Sequence, residues 1–249
     1  MNPHFLPHVA CPESAAIGHR DGAPPGSPSL TVLDRIARPA LALAVLLVAG
    51  SSALAHPHVF VDAHAELVFD KQGRMNAVRN IWQFDEAFTQ FAIQGLDTNG
   101  DGKLSDDELK PLADVNVKSL KEFAFFTYLT SGGKEAEFLP PKEYWLEFHN
   151  QRLTLFFTLP LKTPMAPGAR ARLEIFDPEY FVAFTFAKQN PFKLDGAPAS
   201  CSAQFHKPKE LDAQTMAVLA AIPAEQHDLP PDLVEQASAL ANSFTIACP

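Results

Sequence analysis

Between Asp97 and Glu108 the chain reads DTNGDGKLSDDE, a run of oxygen donors at fixed spacing. Asp97, Asn99 and Asp101 alternate, Gly102 stands sixth and Glu108 twelfth, which is the spacing of an EF-hand calcium loop. A hard, sizeable cation prefers oxygen. Three alternate side chains, the main-chain carbonyl of Lys103, a water near Ser105 and both oxygens of Glu108 would supply about seven ligands. Gly102 gives the turn that a Cβ would resist. Ser105 and Glu108 also form an S-x-x-E capping box for the outgoing helix, and Leu104 is the apolar eighth residue. A single loop of this kind suits a structural calcium clip, since a sensor needs a bistable element that the sequence does not display.

The flanks carry helical periodicity. Phe84, Ala87, Phe88, Phe91 and Ala92 form an apolar stripe upstream. Leu109, Leu112, Ala113, Leu120 and Phe123 continue one downstream, with Pro111 expected in the first turn, where a missing N–H costs little. The expected insert is a helix–loop–helix over about 84–123.

A second group of ligand types gathers near the N-terminus. Arg35 and Arg38 precede the apolar run Ala40–Ala49, and Ala53-Leu54-Ala55 fits an export-signal cleavage site. The apolar run is shorter than the roughly 20 residues of a membrane span. Cleavage after Ala55 leaves His56 with a free α-amine beside its imidazole, followed by His58, with Asp62 and His64 on the same strand face. Imidazole and amine nitrogens suit nickel, cobalt, copper or zinc. Pro57 lacks an N–H, so a square-planar complex through deprotonated backbone amides cannot form. What remains is chelation by His56, with His58 or a distant residue such as His149 completing the set. Residues 1–30 show no periodicity and read as a disordered leader or as the product of a start codon set too far upstream.

The formal net charge of −9 resides wholly beyond residue 55, because Arg20, Arg35 and Arg38 balance Glu13, Asp21 and Asp34. That acidity argues against nucleic acid as a partner. Cys11 leaves with the leader, and the remaining pair, Cys201 and Cys248, is expected to form a disulfide in an oxidising compartment. No nucleophile elbow, zinc-protease helix, phosphate loop or dinucleotide fingerprint is present. The acidic pairs Asp85/Glu86 and Asp177/Glu179 fall where helix starts and turns collect carboxylates.

Elsewhere the periodicity is that of strands. His58–Phe69 alternates, Lys71-Gln72-Gly73 turns the chain into Met75–Phe84, and strands are expected at 124–130, 144–148, 151–159, 171–176, 180–187 and 243–248. Turns are expected at His149-Asn150 and at Asp177-Pro178-Glu179, and helices at about 208–221 and 231–241. The fold class is therefore α+β: an antiparallel sheet domain over 56–249 with an inserted helix–loop–helix and C-terminal helices.

The stretches HPHVFVDAHAELVFD, IWQFDEAFTQFAIQGLDTNGDGKLSDDEL, VNVKSLKEFAFFTYL and FDPEYFVAF together resemble the DUF1007 family over about 56–248. The resemblance implies a bacterial periplasmic component of an ABC-type transport system, often encoded beside a nickel/cobalt permease. It carries no catalytic residues with it. Three readings follow from residues and resemblance together. One is a periplasmic metal-binding accessory of a transition-metal transport system, partnered by an inner-membrane permease and carrying a calcium loop. Another is a calcium-stabilised interaction domain. The third is a copper-dependent oxidative enzyme built on the N-terminal histidine.

Overall fold

The computed structural model describes residues 57–188, 190–208, 212–222 and 240–249. The leader, cleavage after Ala55, His56 and the helix expected from Pro231 lie outside them.

Alternation builds the first hairpin. In β1 (Val59–Phe69) every second residue from Val59 is buried, and β2 (Met75–Phe84) answers with Val78, Asn80, Trp82 and Phe84. Register pairs Ala63 with Trp82 and Ala65 with Asn80. Asp70 shapes the turn by accepting from the N–H groups of Gln72 and Arg74, each at 2.9 Å. The other strands are β3 (Thr127–Ser131), β4 (Lys134–Glu135), β5 (Tyr144–His149), β6 (Arg152–Met165), β7 (Ala171–Ile175), β8 (Val182–Phe186), β9 (Phe192–Asp195), β10 (Ser202–His206) and β11 (Asn242–Ala247).

They form two sheets. One runs β5-β6-β2-β1-β8, with β9 also on β1, and the other runs β10-β11-β7-β3-β4. The second is antiparallel throughout, as expected. The first is mixed, because β8 and β9 run parallel to β1. The chain leaves the first sheet after β6, pairs in the second as β7, and returns as β8, which reverses the direction that a plain meander would give. Aromatic rings pack within the first sheet and between the two. Trp82 meets Phe157 and Phe184 edge-on, each at 4.8 Å, while Phe244 of the second sheet stacks on Phe192 at 4.5 Å and meets Phe186 at 5.1 Å.

Helices α1 (Glu86–Ala92) and α2 (Asp106–Leu120) interrupt the strands, and α3 (Ala213–Ala220) follows β10. Phe84 closes β2 instead of opening a helix; Asp85 is the N-cap of α1 and accepts from Phe88 N–H at 2.8 Å. Pro111 lies in the second turn of α2, not the first. The lost bond would have used the carbonyl of Asp107, an exposed residue whose carbonyl water can satisfy, while Leu109, Leu112, Ala113, Val117 and Leu120 anchor the helix in the core.

The segment expected to be a strand from 124 is instead a distorted 3₁₀ segment, Lys121–Phe126, with β3 starting only at Thr127. Ala124, Phe125 and Phe126 are consecutively left-handed, at φ 51°, 54° and 48°. Each such non-glycine residue costs about 1–2 kcal/mol. Burial of Phe125 and Phe126 in the aromatic core offsets that cost.

The disulfide joins Cys201 to Cys248, with Cα atoms 4.1 Å apart, and ties β10 to the end of β11. No helix among the described residues is long and apolar enough to cross a membrane.

Candidate metal centre

The loop from Asp97 to Glu108 is ordered by its own acceptors. Asp97 Oδ1 accepts from Gly100 N–H at 2.7 Å and Asp101 N–H at 3.2 Å, and Oδ2 accepts from Gly102 N–H at 3.0 Å. Asn99 Oδ1 takes the N–H of Asp101, and Asp101 Oδ1 takes the N–H of Lys103, both at 2.8 Å. Gly100 and Gly102 sit at φ +73° and +77°, where a side chain would be strained.

Glu108 closes the loop. Its Oε1 accepts from both the N–H and the hydroxyl of Thr98, at 2.9 and 3.0 Å, and its Oε2 accepts from both the N–H and the hydroxyl of Ser105, at 3.0 and 2.8 Å. The capping box expected from S-x-x-E is present. These bonds, with the Ser105 N–H foremost, hold the Glu108 carboxyl at about 2. Leu104 packs toward the core, away from the acceptors. Thr98, which the spacing did not single out, thus draws the twelfth residue of the loop to the second. The donor set is all oxygen and suits a hard cation. A carboxylate offers about four lone-pair sites, and protein donors take up all four on Glu108, so coordination requires an exchange. Among the described residues no three His, Cys, Asp or Glu side chains converge closely enough to hold a metal as they stand.

The histidines are apart. The His58 ring packs on Phe181 at 4.7 Å, and the main-chain N–H of His58 donates to the Phe181 carbonyl at 2.9 Å. His64 Nε2 lies 3.9 Å from Glu66 Oε1, and His149 pairs in register with Arg152 beside the Asn150–Gln151 turn. Asp62, expected beside them, pairs instead with Arg152 at 2.8 Å.

A shallow cleft of about 370 Å³ opens where β1, β8 and the start of α1 meet, lined by Phe60, Asp62, Asp85, Glu86, Arg152 and Thr185. Arg152 holds it shut on one side, donating to the carbonyls of Phe84 at 2.6 Å and Gln83 at 3.3 Å. Asp85 is committed to the N–H groups of Phe60 and Phe88. Asp177 is committed to those of Glu179, Phe181 and Val182.

The pattern for the protein of unknown function DUF1007 matches residues 41–248. The chain belongs to the DUF1007 family. It is similar to an uncharacterised protein of Haemophilus influenzae, 23% identical over 157 residues, covering 62% of this chain and 74% of that one. It is also similar to an uncharacterised 15.5 kDa protein of Spirochaeta aurantia, 32% identical over 117 residues, covering 43% of this chain and 79% of that one. The DUF1007 match takes in both sheets and the whole acceptor loop.

Proposed function

We propose that this DUF1007 chain is a calcium-stabilised interaction domain of the bacterial envelope. The observation that carries the reading is the closure of the Asp97–Glu108 loop by Glu108 on Thr98, with side-chain oxygens of Asp97, Asn99 and Asp101 bonded to the loop backbone between them. Asp97, Asn99, Asp101 and Glu108 would hold the ion, with the Lys103 carbonyl completing the protein set. Bound calcium supplies a fixed double charge that pins the start of α2. The helix then presents a stable flank to β5, where Tyr144 Oη already donates to Asp114 at 3.0 Å. Export supports the same reading, since a disulfide between Cys201 and Cys248 suits an oxidising compartment.

The transition-metal reading uses His56 with His58 or a distant residue such as His149 to complete the set, and the His58 ring is packed on Phe181. It therefore rests on sequence and resemblance, while the all-oxygen set of the Asp97–Glu108 loop supports calcium.

Thermal unfolding of the exported protein, stripped with chelator and then given calcium, tests the proposal, because a ligand stabilises the state that binds it. The melting temperature rises with calcium in the wild type, and the rise is lost in Glu108→Gln. No shift at millimolar calcium sinks the reading.

A further inference from the structure

We propose that β5 is an open edge that takes up an extended peptide as an added strand, the peptide carrying an apolar residue between two basic ones. The inference rests on the interaction-domain reading and names the chemistry of the partner.

β5 is the last strand of the first sheet, joined on one side to β6 in unbroken register from Tyr144 to His149. The carbonyl of Glu143 accepts from Thr158 N–H at 3.1 Å and carries that register one residue further back. In an antiparallel pair the main-chain groups of alternate residues turn toward the partner strand, and those between turn away. With Glu143 bonded to β6, the N–H and C=O groups of Tyr144, Leu146 and Phe148 point off the sheet. Among the described residues no main-chain group meets them. Tyr144 and Leu146 face the core side, where Tyr144 Oη reaches Asp114, so α2 packs beneath this strand. Exposed edges are usually blunted by proline, lysine, a bulge or shortness, and β5 has none of these. By contrast, β4 has two residues, β10 exposes only the small or polar Ser202, Ala203 and Gln204, and the Phe184 carbonyl of β8 is held by Asn242 Nδ2 at 2.9 Å.

The side chains select the guest. On the outer face a row runs Ile81, Phe156, Trp145, each in direct register with the next. The rings of Phe156 and Trp145 are stacked, 4.8 Å apart and 2° from parallel. Phe156 covers one face of the indole and no strand lies beyond the other, which leaves Trp145 45% exposed. Its Nε1 donates to Glu147 Oε1 at 2.9 Å, which fixes the ring. Toward an added strand Trp145 occupies a non-hydrogen-bonded position, where opposed side chains approach most closely. An apolar or aromatic residue there continues the row. Two residues to either side, Glu143 and Glu147 are exposed on the same face, and each favours a cation opposite. A second copy of β5 fits poorly, since Trp145 on Trp145 would set Glu143 against Glu147 twice.

The probe is a capped peptide, Thr-Lys-Val-Phe-Val-Lys-Thr, titrated into the whole chain while Trp145 emission is followed. Trp82, 2% exposed, supplies a constant background. Methylating the amide nitrogens of both Val residues deletes the donors that face β5 and should weaken binding about tenfold, whereas methylating that of Phe, which faces away, should not. Trp145→Ala should weaken binding about tenfold as well. Glu147→Lys should cut the preference for this peptide over its copy with Glu in place of both Lys. Both substituted side chains are exposed, so the fold is kept. No binding at millimolar peptide, or equal binding of the Val-methylated and Phe-methylated forms, overturns the added strand. So does a dimer that Trp145→Ala dissolves, which assigns the edge to a second copy. Peptide binding without a calcium-dependent rise in melting temperature removes the calcium and keeps the edge. A calcium-dependent rise without peptide binding removes the edge alone.

Discussion

Glu108 Oε1 accepts two hydrogen bonds from Thr98, a residue ten positions earlier that the loop spacing leaves undefined. The pairing closes the loop into a ring and gives Thr98 a share in the acidity of Glu108. The larger share belongs to Ser105. Thr98→Val keeps the backbone N–H and deletes the hydroxyl, so the Glu108 carboxyl should titrate above its present value of about 2, though still below the ordinary 4.5. A carbon-13 titration of that side chain in chelator decides it. An unchanged midpoint shows that the hydroxyl contact is idle.

The same carboxylate sets a pH dependence. Its folded pKa lies below the unfolded one, so the ionised form supports the fold above about pH 4.5, and that support is lost as pH falls toward about 2. Glu108→Gln cannot ionise. Without metal, the melting temperature of wild type should exceed that of the variant at neutral pH, and the difference should shrink across that window. A difference that stays constant down to about pH 2 would falsify the assignment.

The disulfide gives a third expectation. It closes 47 residues of sequence and anchors β10, which pairs only with β11 in its sheet. Replacing both cysteines by serine should cost about 3–4 kcal/mol in the chain-entropy account. Hydrogen exchange should rise first in Ser202–His206. Uniformly raised exchange, including β2, would mean that the bond stabilises the whole fold and not this edge.

Much of the fold was legible because burial follows alternation. Odd positions of β1 and even positions of β2 are sufficient to orient the first hairpin, and the S-x-x-E pair located the start of α2. Parallel pairing of β8 and β9 with β1 was not legible, since one strand's pattern does not record which sheet the chain has just visited. Nor was the left-handed turn, because Ala124, Phe125 and Phe126 have no glycine or asparagine to announce it; tertiary burial overrides their local preference. In the candidate site, ligand types and spacing gave Asp97, Asn99, Asp101 and Glu108. Thr98 escaped because its role depends on a fold-back between loop ends.

Arg152 separates two kinds of polar contact. Its ion pair with Asp62 is solvent-facing, Asp62 being 60% exposed, whereas its bonds to the Phe84 and Gln83 carbonyls close the end of β2. Asp62→Asn should therefore cost less than about 1 kcal/mol. Arg152→Met should cost about 1.5–3 kcal/mol, since charge-assisted bonds to main chain are lost. Urea unfolding of both variants checks the order. Equal losses would place the stabilisation in the ion pair.

Asp177 sits in the turn that returns the chain from β7 to β8, and only 4% of it is exposed. Its Oδ1 accepts from Glu179 N–H and its Oδ2 from Phe181 and Val182 N–H, each at 2.9 Å. Burial pushes its carboxyl above the usual 3.8, and the three N–H groups pull the other way without prevailing. Asp177→Asn keeps the size but turns an amino group toward at least one of these donors, leaving a buried N–H without a partner. The loss should be about 1–3 kcal/mol. Because the folded pKa is raised, ionisation costs the wild type stability as pH climbs from 3.8 through the folded value, whereas asparagine feels nothing. The advantage of wild type over Asp177→Asn should thus be larger near about pH 3 than near about pH 7. Chemical unfolding at the two pH values measures it. An advantage that grows with pH would show that the three N–H groups outweigh burial and that Asp177 is stabilised as the anion.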